Sequence, residues 1–399
     1  MNQGTDSRAL RLLNAQRIVD VVVEVAPGAL TRPQIGRLAG LSKPTVSALV
    51  ADMVETGLLV LAESPDVSVS VGRPALQYRL DPLIRPVVGA EVGPAMSRVA
   101  VADLMGGIVS EIAFSTPGDA VAAIGAVCAA ARSLIADFGD RCRVVCLGVP
   151  GIYCSERDEV DNAVYLDGFD GLRVADRVQD VLGLPSVLVE NDVNLAAVGE
   201  VAAANDHGAS VRDFAVIMIG SGIGLGLVLD GDLYRGGSGA AGELGSMVIA
   251  SEGSGRRALT VEGVASGPSI CRRFSRAPER SRASDLPADC VVADVLAAAA
   301  TGDEAATVAV DEAAAAVGRA ISHLHFIIDP ARIVLGGSVG TDPYFLSAVR
   351  RHLSAMPNEF PPVEASPRGV RAALLGAVEV AAANQRSQLV GDLFGGLQR

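Results

Sequence analysis

The chain has 399 residues, half of them hydrophobic, with 33 Lys and Arg against 46 Asp and Glu, a formal net charge of −13. That length buries large cores and divides into two or three domains. No apolar run reaches the roughly 18 residues of a membrane span, and Met1 to Ala15 has no apolar signal stretch, so the sequence reads as cytoplasmic.

The acidic balance speaks against nucleic acid as a partner only when it is averaged over the chain. Residues 1–80 carry eight Arg or Lys against seven Asp or Glu, a net of +1, and residues 81–399 carry 25 against 39, a net of −14. The sole lysine, Lys43, falls in the near-neutral part. The six cysteines, Cys128, Cys142, Cys146, Cys154, Cys271 and Cys290, show neither C-x-C nor C-x-x-C spacing. Several stand in apolar stretches, the pattern of buried thiols rather than of disulfides or a metal site.

In chain order, RLLNAQRIVDVVVEVA (11–26) repeats Leu12, Ala15, Ile18, Val19, Val22 and Val25 at helical spacing. TRPQIGRLAG follows, with Thr31 and Gln34 at capping-box spacing and Pro33 in the first turn, which predicts a short second helix. Gly40 and Leu41 make a turn, Ser42 caps a third helix, and Gly57 ends it. LLVLAE and ALQYRL (75–80) then alternate as a two-stranded wing around the polar tip SPDVSVSVGRP. The order is that of a winged helix-turn-helix, whose third helix enters a major groove by its N-terminal end.

Arg32 and Gln34 on the second helix, Ser42, Lys43, Thr45 and Ser47 on the third, and Arg73 at the wing are the candidates to touch double-stranded DNA. One lysine on the recognition helix predicts modest affinity per copy, and therefore a dimer on two half-sites.

DPLIRP (81–86) reads as a linker. Beyond it come three short strands (VVGAEV, RVAVADL, IVSEIAF), a helix over about 119–137, and the strand VVCLGV. The β-β-β-α-β order recurs after Asp213 as FAVIMIG, IGLGLVL and DLYRG followed by helices, so residues 87–399 read as a duplicated α/β unit of two lobes with a cleft between them.

LGVPG (147–151), VENDVNLAAVGE (189–200), GSGIGLGLVLDGDLYRGGSGAAGELG (220–245), DPARIVLGGSV (329–339) and ALLGAV (373–378) resemble the successive motifs of the ROK family of repressors and sugar kinases. The opening helix-turn-helix with its GRPA wing resembles the regulator branch. The resemblance implies an actin-like sugar-kinase fold, a sugar between the lobes, and assembly into dimers or tetramers. It also implies that Asn162, Asn191, Asp192, Glu243 and Glu262 contact sugar hydroxyls, and that Asp192 is the base in a kinase. Carboxylates and amides fixed at a cleft suit a ring of hydroxyls, each both donor and acceptor.

Two departures from the family stand out. Its kinases carry an Asp-x-Gly-x-Thr type hairpin that embraces phosphate. Across Glu91–Ser97 this chain has Glu91 for the aspartate, Pro94 with no N–H, and Ala95 and Met96 with no hydroxyl. The second loop, Gly220, Ser221, Gly222 and Gly224, either still approaches phosphate or serves only the tight turn between strands. The family also follows Glu-x-Gly with a histidine and three nearby cysteines that bind zinc. Ser246 replaces the histidine here and no cysteine lies between Cys154 and Cys271, so neither zinc nor another cofactor is expected. Ser246 then either hydrogen-bonds in the histidine's place, or the effector is something other than a common hexose, or there is none.

The expected function is a DNA-binding transcription regulator of repressor type, responding to a sugar or sugar derivative in a cleft that has lost kinase activity. The alternatives are an ATP-dependent sugar kinase with an appended DNA-binding head, and a DNA-binding protein that needs no ligand.

Overall fold

The structure, a computed structural model, describes residues 3–62, 75–163, 165–206, 212–252, 257–277, 286–287 and 290–394. The N-terminal head comprises α1 (Gln3–Val25), β1 (Leu30–Thr31), α2 (Arg32–Ala39), α3 (Lys43–Glu55), β2 (Leu59–Leu61) and β3 (Gln77–Leu80). Helix α1 begins two turns before the apolar periodicity does, because its first residues carry no stripe. Thr31 and Gln34 close the capping box on α2, Gly40 turns the chain at φ 65°, and Ser42 caps α3 through the Thr45 N–H. The sheet runs β1-β3-β2. The two-residue strand β1 is too short for sequence alternation to show. The wing tip, including Arg73, lies outside the described residues.

Two five-stranded sheets follow. The first holds β4 (Val87–Val92), β5 (Met96–Ala102), β6 (Ile108–Ser115), β7 (Val144–Val149) and β10 (Ser186–Asn191) in the order β10-β7-β4-β5-β6. Between β7 and β10 come a hairpin of β8 (Ile152–Cys154) and β9 (Glu159–Asp161) and the helix α5 (Val174–Leu182). The second sheet holds β11 (Phe214–Ile219), β12 (Ile223–Leu229), β13 (Asp232–Tyr234), β16 (Arg332–Gly336) and β17 (Val363–Ala365) in the order β13-β12-β11-β16-β17. Each is an antiparallel meander with two parallel strands added beside its first member. The duplication that is faint in sequence is therefore plain in topology.

Helices α4 (Ala120–Ile135) and α5 cover the outer face of the first sheet. The outer face of the second is covered by α7 (Val261–Ala265), α8 (Gly267–Arg276), α9 (Val292–Thr301), α10 (Glu304–Ile328) and α12 (Pro343–Ser354). A second hairpin, β14 (Val248–Glu252) with β15 (Arg257–Thr260), precedes α7, and the one-turn α11 (Gly337–Gly340) follows β16.

Between the sheets lie α6 (Asp192–Asp206) and the C-terminal α13 (Ala372–Phe394). They cross closely because each presents a glycine. A Cβ on Gly376 would run into the Leu195 carbonyl, and one on Gly199 into the Ala372 carbonyl.

Helix α13 also reaches the head. Leu389, Val390 and Phe394 are buried in the same core as Ile18, Ile35, Val50 and Met53. The segment 81–86 is not a free tether: Asp81 N–H donates to Leu58 O (3.0 Å), Leu104 N–H to Pro82 O (2.9 Å), and Arg141 to Leu83 O (3.3 Å). The head is thereby seated on the first lobe. Among the described residues no helix is long and apolar enough to cross a membrane.

Candidate ligand cleft and DNA-facing head

The two lobes enclose a cavity of about 450 Å³. Strand β10 ends at Asn191 and α6 begins at once with Asp192, which places both side chains on its floor. Asn191 Nδ2 donates to Gly151 O (2.9 Å), and its Oδ1 accepts from the Asn194 N–H (2.9 Å). These bonds fix the amide. Asp192 Oδ1 accepts from the Val193 N–H at 2.8 Å.

Asn162 stands just after the β8–β9 hairpin in a left-handed conformation, φ 60°, which asparagine tolerates. It donates to Glu243 Oε2 at 3.3 Å. Glu262, in the first turn of α7, accepts the Ile223 N–H at 3.0 Å and the hydroxyl of Tyr165. All five residues expected at the sugar line one cavity, and Ser246 lines it with them.

Burial dominates the electrostatics. The Asp192 carboxyl lies crowded at the bottom of the cleft, although part of the residue faces the cavity, and desolvation lifts its pKa to about 6 against the pull of the backbone N–H groups. Desolvation raises Glu243 as well, with the Asn162 amide pulling it down. Glu91, 9% exposed, is pushed up to about 8 by burial. Arg98, 3.8 Å away, and the Leu374 N–H at the start of α13 oppose that shift, while Asp192 and Glu111 add to it. A carboxyl whose folded pKa exceeds its unfolded value destabilises the protein increasingly as pH rises from the unfolded pKa through the folded one. We expect Glu91→Gln to flatten the fall in stability between pH 4.5 and about 8 and to melt several degrees above the parent at pH 8.5. Parallel stability curves for the two proteins would contradict the assignment.

The corner that the resemblance assigns to phosphate differs from what the second loop alone suggests. Ser97, the one hydroxyl of the Glu91–Ser97 hairpin, is fully buried and bonded to Thr116 Oγ1 (2.9 Å), which also donates to Gly93 O (2.7 Å). In the second loop, a Cβ on Gly222 would strike the Tyr165 ring, so that ring lies directly against the loop. Gly224 and Gly226 are small because α6 packs on them through Val193 and Ala197. Tyr165, Arg98 and the Gly337-Ser338 turn also line the cavity. Of these, only the glycine pair ending β16 carries a local sequence signal. Tyr165 follows an unremarkable loop and gives none. Among the described residues no cluster of His, Cys, Asp and Glu is arranged to hold a metal ion.

In the head, Lys43 is exposed at the start of α3. The other candidates are partly engaged internally. Arg32 stacks 5.1 Å from the centroid of Tyr78, Gln34 bonds to Thr31, and the Ser42 and Thr45 hydroxyls share a bond of 2.8 Å. Ser47 is half-buried.

These features define a class: an actin-like sugar-kinase fold bearing a winged helix-turn-helix head. Residues 87–384 match the ROK family and residues 20–67 the MarR family. The chain belongs to the ROK family.

A ROK family transcriptional regulator homologous to the Mlc protein of E. coli superposes with a TM-score of 0.74 at 20% identity, covering 97% of this chain and all of that one. A ROK family glucokinase from Streptomyces griseus, in complex with glucose and AMPPNP, gives 0.64 at 28% identity over 75% of this chain and 99% of its own. Among curated relatives, a glucokinase of Halalkalibacterium halodurans is 30% identical over 52% of this chain and 66% of its own length. An N-acetylmannosamine kinase of Citrobacter koseri is 37% identical over 45% of this chain and 59% of its own. The chain thus spans about three fifths of the length of these two relatives.

Proposed function

We propose that this protein is a transcription regulator that binds operator DNA through its head and senses a sugar or sugar derivative in the cleft, with phosphoryl transfer lost. The observation that carries the reading is the course of α13. The helix starts where the Leu374 N–H meets Glu91 beside the cleft floor, crosses α6 within a turn of Asp192, and ends inside the core of the head. A ligand that favours one closure of the lobes therefore acts on a helix shared with the DNA-binding part. It changes DNA affinity by as much as its own affinity differs between the two closures.

Loss of transfer rests on the hairpin. Phosphoryl transfer depends on positioned donors around the phosphate. Pro94 supplies no N–H, Ala95 and Met96 no hydroxyl, the Ser97 hydroxyl is turned inward, and Tyr165 covers Gly222. The relatives named as kinases favour the second reading, an active sugar kinase with a DNA-binding head. No cofactor is assigned. A homodimer on two half-sites supplies the affinity that one lysine per head does not.

Lys43 gives the test. Fluorescence anisotropy on DNA flanking the protein's own coding sequence should show Lys43→Ala weakening binding, with a salt dependence shallower by about one in slope and with melting and oligomer size unchanged. Unchanged affinity and slope would remove α3 as the recognition helix.

A further inference from the structure

We infer that the cleft is built for a neutral saccharide carrying an apolar substituent, an alkyl, acyl or aryl group, seated in the corner that the family resemblance assigns to phosphate. The inference rests on the proposed sugar-sensing reading and goes further by naming the ligand class.

The cavity, about 450 Å³, lies in the range of sites that enclose drug-sized ligands rather than a single small ring. Its walls differ in chemistry. The floor offers hydroxyl partners in Asn191, Asp192, Glu243 and Glu262, each held by a hydrogen bond within the protein. The Glu91–Ser97 hairpin offers carbon to the same cavity: Pro94 and Ala95 are exposed, Met96 is 37% exposed, and Val370, from the segment before α13 and 51% exposed, also lines it. The Tyr165 ring, 37% exposed, stands over Gly222 at the same cavity.

A phosphate entering that corner meets a residue with no N–H and two side chains with no hydroxyl. An apolar group meets the Met96 thioether and the carbon of Pro94 and Ala95, which lose water when it docks. Charge separates the remaining candidates. Among the described residues, the carboxyl groups of Asp192, Glu243 and Glu262 line the cavity against the one guanidinium of Arg98, while Glu91, kept protonated near neutral pH by its burial, adds no charge. An anionic substituent is repelled on balance, and a neutral one is not.

The test is isothermal titration of the full-length protein with glucose, mannose and galactose, each beside its phenyl glycoside and its 6-O-butanoyl ester. At least one substituted sugar should bind about tenfold or more tightly than its parent, with a more negative heat-capacity change. Met96→Ser and Val370→Ser, both at exposed positions, should bring the substituted-to-parent affinity ratio toward one. The inference falls if every parent sugar binds as well as its derivatives, if neither variant changes the ratio, or if a sugar 6-phosphate binds tighter than all of them. In each of those cases binding of the parent or phosphorylated sugar leaves the sensor reading standing. If no saccharide of any kind binds, the sensor reading falls with the inference.

Discussion

Replacing Gly376 by valine should cost about 3 kcal/mol or more and cut the link between the cleft and the head. The usual penalty for adding methylenes to a packed core is about 1–3 kcal/mol, when neighbouring side chains can shift. Here the obstacle is main chain: the new Cβ would overlap the Leu195 carbonyl and press on the Gly199 N–H side of α6. The two helices must separate, which opens the alanine-rich layer of Ala196, Ala372, Ala373 and Ala377 between them. Denaturant titration reads the stability. Anisotropy with and without saccharide reads the coupling in whatever fraction stays folded. Wild-type stability in Gly376→Val would mean that the helices do not cross at this point.

Asp192→Asn isolates the charge at the cleft floor. The amide keeps an oxygen for the Val193 N–H, so the start of α6 is retained and only the anionic acceptor is lost. A hydrogen bond to a charged group contributes about 1.5–3 kcal/mol, so saccharide affinity should fall roughly 10- to 150-fold. DNA affinity of the ligand-free protein should not change, and the ligand-induced change should vanish at concentrations that saturate the parent. A normal ligand response in Asp192→Asn would exclude this carboxylate from recognition.

The head is almost wholly legible in sequence because its signals are local. Thr31 with Gln34, Gly40 and Ser42 each act within a single turn, and the structure uses them where the spacing puts them. The sheets are legible for a related reason: strands such as VVCLGV, buried on both faces, read as continuous apolar runs. What escapes is what depends on neighbours distant in sequence. The β8–β9 hairpin that delivers Asn162 is two strands of three residues, too short for a pattern. Tyr165 covers Gly222 across 57 positions of chain, and nothing near either residue announces it. The glycines of 220–226 look alike in sequence, yet Gly222 lies beneath a ring while Gly224 and Gly226 admit α6. ALLGAV reads as a motif, but only the fold shows that its glycine meets α6 and that the same helix ends in the head.

The most direct trial of the account is a phosphoryl-transfer assay on the intact protein: Mg-ATP with the saccharide that gives the largest thermal shift, product followed by mass. The account predicts that the saccharide stays unphosphorylated while its addition alters DNA affinity. Steady turnover to a sugar phosphate, with DNA affinity indifferent to the saccharide, would contradict it.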